Sequence, residues 1–448
     1  MSIPFPEDEP VVPAKRNLSL EAAVSDVETR YIGANPRSKA RFEAARTNMP
    51  GGNTRTILHY DPYPVAIVKG EGARLTDLDG HTYVDYLGEY TAGLYGHSEP
   101  AILKAVREAL DGGLVLGGPN RYEARLAELM CARFPAVDLI RFCNSGSEAN
   151  LMCLNLARAS TEREGILVFK GGYHGGFLTF GAPTRMNVPY RFVYGEYNDV
   201  VGTKQLVNDH AKELAAVILE PMMGAGGCIP ADAEFLHMLR EETARHGIVL
   251  VFDEVMTSRL APGGLHGALG LKPDLVSFGK YLGGGVTFGA FGGSHDLMSR
   301  LDPTRKDGGL GHSGTYNNNV LTMAAGIAGL ETVFTPAKAE QLNASGDQLR
   351  DRLNATIARH GLPMQVTGRG SMLCFHPQST PIRRPFDHAG SSAEARKLLH
   401  LDMNLRGFYL ARRGFMSLSL PLTEQDHDGL VAAFDGFLDD YAGVLASL

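Results

Sequence analysis

The chain has 448 residues, of which 44% are hydrophobic and 21% are charged, a composition typical of a globular protein with a substantial core. Its formal net charge of −7 argues against nucleic acid and anionic membranes as partners, because both attract basic surfaces. No apolar run reaches the length of a membrane span, and the opening residues, MSIPFPEDEP, resemble neither a signal peptide nor a transit peptide.

The cysteines are few and scattered, with no C-x-x-C pair and no histidine at zinc spacing. This pattern predicts reduced thiols in the core of a cytoplasmic protein, and no metal site. The residues concerned are Cys131, Cys143, Cys153, Cys228 and Cys374.

The N-terminal part is predicted to contain helices followed by a small antiparallel meander. We expect residues 1–16 to be mobile and residues 18–48 to be helical, with a break at the GANP stretch. Residues 65–87 then contain short alternating runs divided by Gly-Glu-Gly and by Asp79-Gly80, which is a hairpin signal.

From about residue 100, continuous apolar runs alternate with amphipathic helical runs. Apolar strands separated by helices predict an α/β domain with a mostly parallel sheet covered on both faces. The runs are LIRFC (139–143), ILVF (166–169), AAVILE (215–220), IVLVFDE (248–254), DLVSF (274–278) and FGAFGG (288–293).

Three parts of the chain follow from these patterns. Residues 1–98 form an N-terminal segment, residues 99–338 a large α/β domain, and residues 339–448 a smaller α+β domain that includes a strand in FMSLSL (415–420). Ligands of open α/β sheets bind at the carboxyl ends of the strands, so the residues directly after the apolar runs are the candidates for a site.

The first such stretch is Asn144-Ser145-Gly146-Ser147, a polar turn that opens a helix. The free N–H groups and the positive dipole end of a helix start form an anion site. An ordinary serine N-cap explains the same residues.

Further polar residues follow the next strands. Tyr173 and His174 stand between glycines in KGGYHGG, where one ring is able to stack on a planar ligand. Glu220 and Asp253 end neighbouring strands, and this pattern fits a metal site, an acid/base pair or helix caps. A buried Asp253 needs a cationic partner, such as a protonated ring nitrogen.

Lys280 ends the run DLVSFGK, directly before a glycine-rich stretch. A lysine there is ordinarily the point at which a strand reaches solvent. Together, however, the strand ends supply an anion cradle, an aromatic plate, a carboxylate and an amine. These are the groups that pyridoxal phosphate requires, with Lys280 as its Schiff-base partner.

The same residues carry a family resemblance. The chain resembles the class III aminotransferases of the fold-type-I pyridoxal-phosphate enzymes over nearly its whole length. Within them it is similar to the glutamate-1-semialdehyde aminomutase branch, and most of all to bacterial transaminases of aromatic β-amino acids such as β-phenylalanine. The matching stretches are MPGGNTR (49–55), DLDGHTYVDY (77–86), YGHSEPAI (95–102), RFCNSGSEANL (141–151), GGYHG (171–175), EPMMGAGG (220–227), VFDEVMTSRL (251–260), DLVSFGKYLGGG (274–285) and HSGTYNNN (312–319).

This resemblance implies a role for each residue around the cofactor ring. Lys280 matches the Schiff-base lysine, and Asp253 the carboxylate that keeps the pyridine nitrogen protonated. Val255 matches the residue packed on one ring face, and Tyr173 the aromatic ring on the other. Glu220 matches a carboxylate near the phenolic oxygen or the substrate side.

It also implies how the phosphate is held. Ser145, Gly146 and Ser147 match the phosphate cradle, with Ser147 in place of the usual threonine, which keeps the hydroxyl. Thr315 matches a residue that reaches the phosphate from the neighbouring subunit, and so implies a homodimer with shared active sites.

For the substrates, the resemblance implies arginine anchors, because Arg binds planar carboxylates in a bidentate manner. Arg55 matches the anchor for the carboxylate of a β-amino acid, and Arg413 the anchor for the α-carboxylate of a keto acid such as 2-oxoglutarate or pyruvate. The adjacent Arg412 is an alternative for the second role. Tyr90 and Tyr95 are candidates for the side-chain pocket.

Several functions compete with a β-amino acid transaminase that follows ping-pong kinetics. A glutamate-1-semialdehyde aminomutase and an ω-transaminase of simple amines belong to the same family. The chain has no tryptophan, whereas aminomutases of this branch commonly have one near the position of Tyr90. A non-catalytic cofactor-binding regulator usually has a basic DNA-binding domain, and a nicotinamide dehydrogenase a G-x-G-x-x-G stretch after its first strand. The 48-residue N-terminal segment is too short and insufficiently basic for the first, and the glycines of YLGGGVTFGAFGG do not have the spacing of the second.

Overall fold

The computed structural model describes residues 19–388 and 392–448, so the mobility predicted for residues 1–16 lies outside the described residues. The helices of the described part are α1 (Leu20–Ala34), α2 (Pro36–Ala45), α3 (Pro100–Asp111), α4 (Glu123–Arg133), α5 (Gly146–Thr161), α6 (Val200–Asp209), α7 (Ala233–His246), α8 (Gly264–Ala268), α9 (His295–Met298), α10 (Val320–Ala328), α11 (Pro336–His360), α12 (Ala393–Leu405) and α13 (Glu424–Leu445). The strands are β1 (Ile67–Glu71), β2 (Arg74–Asp77), β3 (Thr82–Asp85), β4 (Leu139–Cys143), β5 (Gly165–Phe169), β6 (Arg191–Gly195), β7 (Leu214–Leu219), β8 (Met222–Met223), β9 (Ile229–Pro230), β10 (Val249–Asp253), β11 (Leu275–Gly279), β12 (Gly289–Gly293), β13 (Gln365–Arg369), β14 (Met372–His376), β15 (Phe408–Tyr409) and β16 (Phe415–Ser417).

The central sheet has the strand order β4-β12-β11-β10-β7-β5-β6. Its strands are parallel except β12, which runs antiparallel to both of its neighbours. The predicted α/β fold of the fold-type-I class, with a mostly parallel sheet, is confirmed. The edge strand β6 was not predicted, because most of its residues are exposed or half-buried and form no continuous apolar run.

Helices cover both faces of this sheet, and alternate residues of the same strands explain why. Ile166 and Val168 of β5 pack with residues of α5, including Cys153 and Leu156. The intervening Leu167 and Phe169, in contrast, pack into a second core with residues of α7. Since neighbouring residues of a strand point to opposite faces, an apolar run without polar interruption produces two cores.

The N-terminal and C-terminal parts of the chain share a sheet. Strands β1, β2 and β3 form the predicted meander, and β15 pairs in parallel with β3, with Phe408 opposite Val84. A second small sheet has the order β13-β14-β16. The strand predicted over 415–420 is observed only as β16, and the domain boundaries at 98/99 and 338/339 remain a prediction.

Within the described residues, no single helix is both long and apolar enough to cross a bilayer, although the bent pair Val320–Val333 and Pro336–His360 meets the length and composition criteria when the two are taken together. The cysteines are all unpaired, and four of them are buried, whereas Cys131 is half-buried.

Candidate active site

The sheet brings the predicted polar residues together at the carboxyl ends of its parallel strands. They surround a cavity of about 400 Å³, called here the inner cavity. Its lining includes Ser145, Gly146, Ser147, Tyr173, Glu220, Asp253, Val255 and Lys280.

Asp253 ends β10 and is a buried carboxylate with a dense set of donors. Its Oδ2 lies 2.8 Å from both Asn150 Nδ2 and His174 Nδ1, and its Oδ1 accepts from Val255 N at 3.0 Å. No lysine or arginine of the described chain forms an ion pair with it. The carboxylate is therefore oriented firmly and still lacks a permanent cationic partner, as a site for a protonated ring nitrogen requires.

Lys280 directly follows β11 and has a left-handed backbone, with φ of 56°. Such a conformation is costly for a residue other than glycine and is held in place by its surroundings at functional sites. Burial lowers the pKa of Lys280 to about 8, an effect that the Asp253 carboxylate partly opposes. A substantial fraction of the amine is thus neutral near physiological pH, as a nucleophile or proton carrier requires.

The start of α5 forms one end of the inner cavity. Ser145 is the N-cap, and its side chain accepts from Glu148 N at 3.2 Å. A Cβ at Gly146 would lie 2.7 Å from Val255 Cγ2, so only glycine lets this helix approach the segment after β10 so closely. Ser145, Gly146 and Ser147 line the cavity, and the free N–H groups of a helix start suit a phosphate.

Glu220 follows β7 and is buried beside Asp253. Its two carboxylate oxygens accept from Tyr173 N at 3.4 Å and from Gly224 N at 2.9 Å. Burial, reinforced by the negative charge of Asp253, raises the pKa of Glu220 to about 7. Glu220 is therefore able to hold or release a proton near neutral pH.

A second, larger cavity of about 840 Å³ adjoins the first, because Arg55 and Tyr173 line both; we call it the outer cavity. Its walls include the aromatic rings of Tyr60, Tyr90 and Tyr409. The described residues that line it include four arginines and no carboxylate. The arginines are Arg55, Arg396, Arg412 and Arg413.

Two of these arginines contact neighbouring residues of one loop. Arg55 Nη2 lies 2.5 Å from Glu89 Oε1, and the Arg413 guanidinium lies 5.3 Å from the centre of the Tyr90 ring. Arg413 also lies 5.2 Å from the ring of Phe415, and its buried Nε has no hydrogen-bond partner among the described residues.

The structure corrects one expectation about the side-chain pocket. Tyr95 lines neither the inner nor the outer cavity. Its ring is buried in the core, where it packs against Tyr281, and its hydroxyl contacts Gly329 instead of a substrate pocket. The spacing of the two tyrosines gave no sign that the chain turns inward after Tyr90.

Thr315 is exposed and does not line the inner cavity of its own chain. The loop that carries it is nevertheless tied to the candidate phosphate cradle, because Asn317 Oδ1 accepts from Asn144 Nδ2 at 3.1 Å.

Sequence reasoning assigned no supporting role to three further residues that line the inner cavity. Asn150 and Glu89 were not singled out, and His174 was considered only as a stacking ring. Asn150 lies one turn after the polar stretch at the start of α5, and this position is a usable signal. Glu89 has no comparable signal, because its role depends on an unusual backbone conformation.

These residues fit pyridoxal phosphate. A helix start with serines suits its phosphate, the Val255 side chain and the Tyr173 ring bound the space for a flat ring, and a fixed carboxylate without a cationic partner suits its ring nitrogen. The lysine with a lowered pKa lies in the same cavity.

Comparisons with known proteins identify the family of the chain. The family model described as Aminotransferase class-III matches residues 58–393. The chain is 49% identical to a β-phenylalanine transaminase of Variovorax paradoxus, covering 95% of this chain and 98% of that protein. It is also 37% identical to a glutamate-1-semialdehyde 2,1-aminomutase of Desulforudis audaxviator, with 87% and 94% covered.

Solved structures lead to the same family. A crystal structure of a β-phenylalanine aminotransferase from Variovorax paradoxus superposes with a TM-score of 0.93 at 49% identity, covering 95% of this chain and 98% of that one. A transaminase with bound pyridoxal phosphate superposes with a TM-score of 0.84 at 33% identity, covering 92% and 99%. The chain therefore belongs to the class III aminotransferases, which are fold-type-I enzymes that depend on pyridoxal phosphate.

Proposed function

We propose that this enzyme is a transaminase that moves the amino group of a β-amino acid of the β-phenylalanine type to a keto acid such as 2-oxoglutarate or pyruvate, with ping-pong kinetics. The observation that carries the proposal is the outer cavity, in which four arginines and no carboxylate adjoin the cavity of Lys280. Both proposed substrates are carboxylates, and a cationic cavity in a chain of net charge −7 attracts them selectively.

In this proposal the inner cavity holds the cofactor. Ser145, Gly146 and Ser147 hold the phosphate, and Val255 and Tyr173 bound the two ring faces. Asp253 holds the proton on the ring nitrogen, with Asn150 and His174 as the groups that orient it. When bound, pyridoxal phosphate withdraws electrons from the carbon that carries the substrate amine.

Lys280 and Glu220 have the proton-handling roles. Lys280 holds the cofactor through its aldehyde at rest, and its freed Nζ moves the proton at the reacting carbon of the substrate. Its lowered pKa supports this role, because a neutral amine is required to accept a proton. Glu220, whose pKa is raised to about 7 by burial and by the charge of Asp253, is proposed near the phenolic oxygen or on the substrate side.

The arginines anchor the two substrates. Arg55 binds the carboxylate of the β-amino acid, whose amine lies one carbon further from the carboxylate than in an α-amino acid. We infer that Arg413 rather than Arg412 binds the α-carboxylate of the keto acid, because its guanidinium lies over the Tyr90 ring and its Nε has no partner in the described chain. Arg412 instead lies near the buried His400. The name of the Variovorax paradoxus relative supports the same class of donor.

The proposed assembly is a homodimer. Thr315 is exposed in the single chain, as is expected of a residue that contacts the phosphate of a neighbouring subunit. A cytoplasmic location is part of the same proposal and agrees with the unpaired cysteines.

A donor panel tests the function. Purified holoenzyme is given (S)- and (R)-β-phenylalanine, an aliphatic β-amino acid, an α-amino acid and 1-phenylethylamine, each with 2-oxoglutarate, with pyruvate and without a keto acid. We expect turnover of a β-amino acid only when a keto acid is present. Turnover without a keto acid would identify a mutase, and activity restricted to 1-phenylethylamine would identify an ω-transaminase of simple amines.

A further inference from the structure

The loop after β3 has an unusual backbone. Gly88, Glu89, Tyr90 and Thr91 are four consecutive residues in the left-handed region, with φ of 52°, 44°, 52° and 82°. Only the first is a glycine, so the loop carries strain that the rest of the protein must hold. Strained loops of this kind are found where side chains have to be presented in a fixed direction.

The rest of the protein fixes this loop at both ends. At its start, Asp85 Oδ1 accepts from Leu87 N at 2.9 Å and from Gly88 N at 3.0 Å. At its end, the buried Arg259 donates from Nη1 to the carbonyl oxygen of Thr91 at 3.4 Å.

The result is that two adjacent side chains reach the two substrate arginines. Glu89 Oε1 lies 2.5 Å from Arg55 Nη2, while the ring of Tyr90 lies under Arg413. Glu89 also lines the inner cavity together with Lys280. The Glu89 carboxylate therefore pairs with Arg55, the same guanidinium that the proposed function assigns to the substrate carboxylate.

We propose that Glu89 is a specificity-determining residue that competes with the substrate carboxylate for Arg55. This inference rests on the proposed role of Arg55 as the carboxylate anchor. An acid substrate displaces Glu89, and one anion then replaces another on the same guanidinium. The side chains of Arg55 and Glu89 are 47% and 49% exposed, and half-exposed ion pairs are weak, so the exchange is readily reversible.

The ion pair between Arg55 and Glu89 weakens the binding of an acid substrate, but it favours a substrate that has no carboxylate. Such an amine does not displace Glu89, so the ion pair between Arg55 and Glu89 persists. The Glu89 carboxylate then neutralises the positive charge of Arg55 close to the incoming ammonium group. Glu89 therefore lowers the preference of the enzyme for acids over simple amines. Its removal is expected to sharpen that preference.

The experiment separates binding from turnover. Holoenzyme with Glu89→Gln is titrated calorimetrically with 3-phenylpropanoate, which has the carboxylate of the proposed donor and no amine. We expect a dissociation constant about two- to fivefold lower than in the wild type. We also expect the ratio of kcat/KM for β-phenylalanine to that for 1-phenylethylamine to rise by about the same factor or more.

Three further variants make the outcome decisive. Glu89→Asn also removes the charge, and asparagine tolerates the left-handed backbone. This variant is used if Glu89→Gln does not fold. Glu128→Gln removes a carboxylate from another exposed pair, with Arg125 at 2.6 Å, and is expected to change neither value. Arg55→Gln tests the anchor itself and should weaken 3-phenylpropanoate binding.

The possible results are distinguishable. If Arg55→Gln weakens binding but both Glu89 variants leave the dissociation constant and the kcat/KM ratio unchanged, or weaken acid binding, the proposal for Glu89 is overturned and the anchor stands. If Arg55→Gln has no effect on 3-phenylpropanoate, the anchor itself is wrong.

Discussion

His174 Nδ1 lies 2.8 Å from Asp253 Oδ2, and both side chains are almost completely buried. The same oxygen accepts from Asn150, so the carboxylate has a fixed position before any ligand arrives. A preorganised group of this kind acts without reorganisation during the reaction. Replacing Asp253 with Asn keeps the shape and removes the charge, and it would turn an acceptor for Asn150 into a competing donor.

We expect Asp253→Asn to lower kcat by on the order of 10²–10³-fold, as the loss of one preorganised electrostatic partner usually does. Asn150→Ala removes only one of the supporting bonds and should lower kcat by about tenfold. Steady-state rates of both variants, at saturating cofactor, check the order of the two effects. Equal rates for Asp253→Asn and the wild type would contradict the role of this carboxylate.

Lys280→Ala should abolish covalent retention of the cofactor and reduce turnover by at least about 10⁴-fold, because the same amine both holds the cofactor and moves the proton. Gel filtration followed by absorbance near 400 nm measures retention. Lys272→Ala is a matched control, since Lys272 is an exposed lysine just before the same strand. A yellow, active Lys280→Ala protein would refute the site.

The lowered pKa of Lys280 predicts a pH dependence for cofactor capture. Burial disfavours the charged amine, so the neutral form predominates above about pH 8. In cofactor-free protein, the rate of covalent capture of pyridoxal phosphate should rise about tenfold per pH unit below pH 8 and level off above it. Stopped-flow absorbance follows the reaction. A midpoint near that of an ordinary lysine, about 10.4, would show that the amine is not shielded from water.

We expect Arg259 to influence the site indirectly, through the loop whose end it holds. This residue is completely buried, and besides the Thr91 carbonyl it bonds Ser371 Oγ at 2.9 Å and the carbonyl oxygen of Leu418. Arg259→Lys is expected to reduce the free energy of unfolding by about 2–4 kcal/mol, because buried acceptors lose their donors. It should also raise the KM for the keto acid, since the loop that holds the Tyr90 ring under Arg413 is no longer fixed at its end.

Thermal unfolding and KM measurements together test this effect. Arg125→Lys, at an exposed arginine, should shift stability by less than about 0.5 kcal/mol. An Arg259→Lys protein as stable as the wild type, with unchanged KM, would show that Arg259 does not hold the loop.

Tyr95→Phe tests the corrected position of Tyr95. The hydroxyl is buried without a hydrogen-bond partner in the described chain, so its removal should leave the KM values unchanged and leave stability equal or higher by about 1 kcal/mol. Tyr90→Leu, in contrast, removes the ring under Arg413 and should raise the KM of the keto acid. A higher KM in Tyr95→Phe would restore this residue to the pocket.

Sequence reasoning brought most residues of the inner cavity together because they follow apolar strands. Asp253 and Lys280 directly end such runs, and the rule that ligands bind at the carboxyl ends of parallel strands brings them together. The edge strand β6 lacks such a run and was missed.

The outer parts of the site were less predictable. Glu89 meets Arg55 across 34 positions of the chain, and the contact depends on a left-handed backbone at residues that are not glycines. Local sequence preferences argue against that conformation, so only the tertiary structure reveals it. The position of Tyr95 was also predicted wrongly. Its ring follows the same loop but is buried in the core, which only the tertiary structure shows.

The pairing of β15 with β3 has a consequence for synthesis. Tyr90 is made early, but its stacking partner Phe415 and the adjacent Arg413 emerge from the ribosome more than 300 residues later. A nascent chain is therefore able to assemble the central sheet while this wall of the outer cavity is still incomplete. Contacts so distant along the chain slow folding, so the last tenth of translation governs when a competent enzyme first exists.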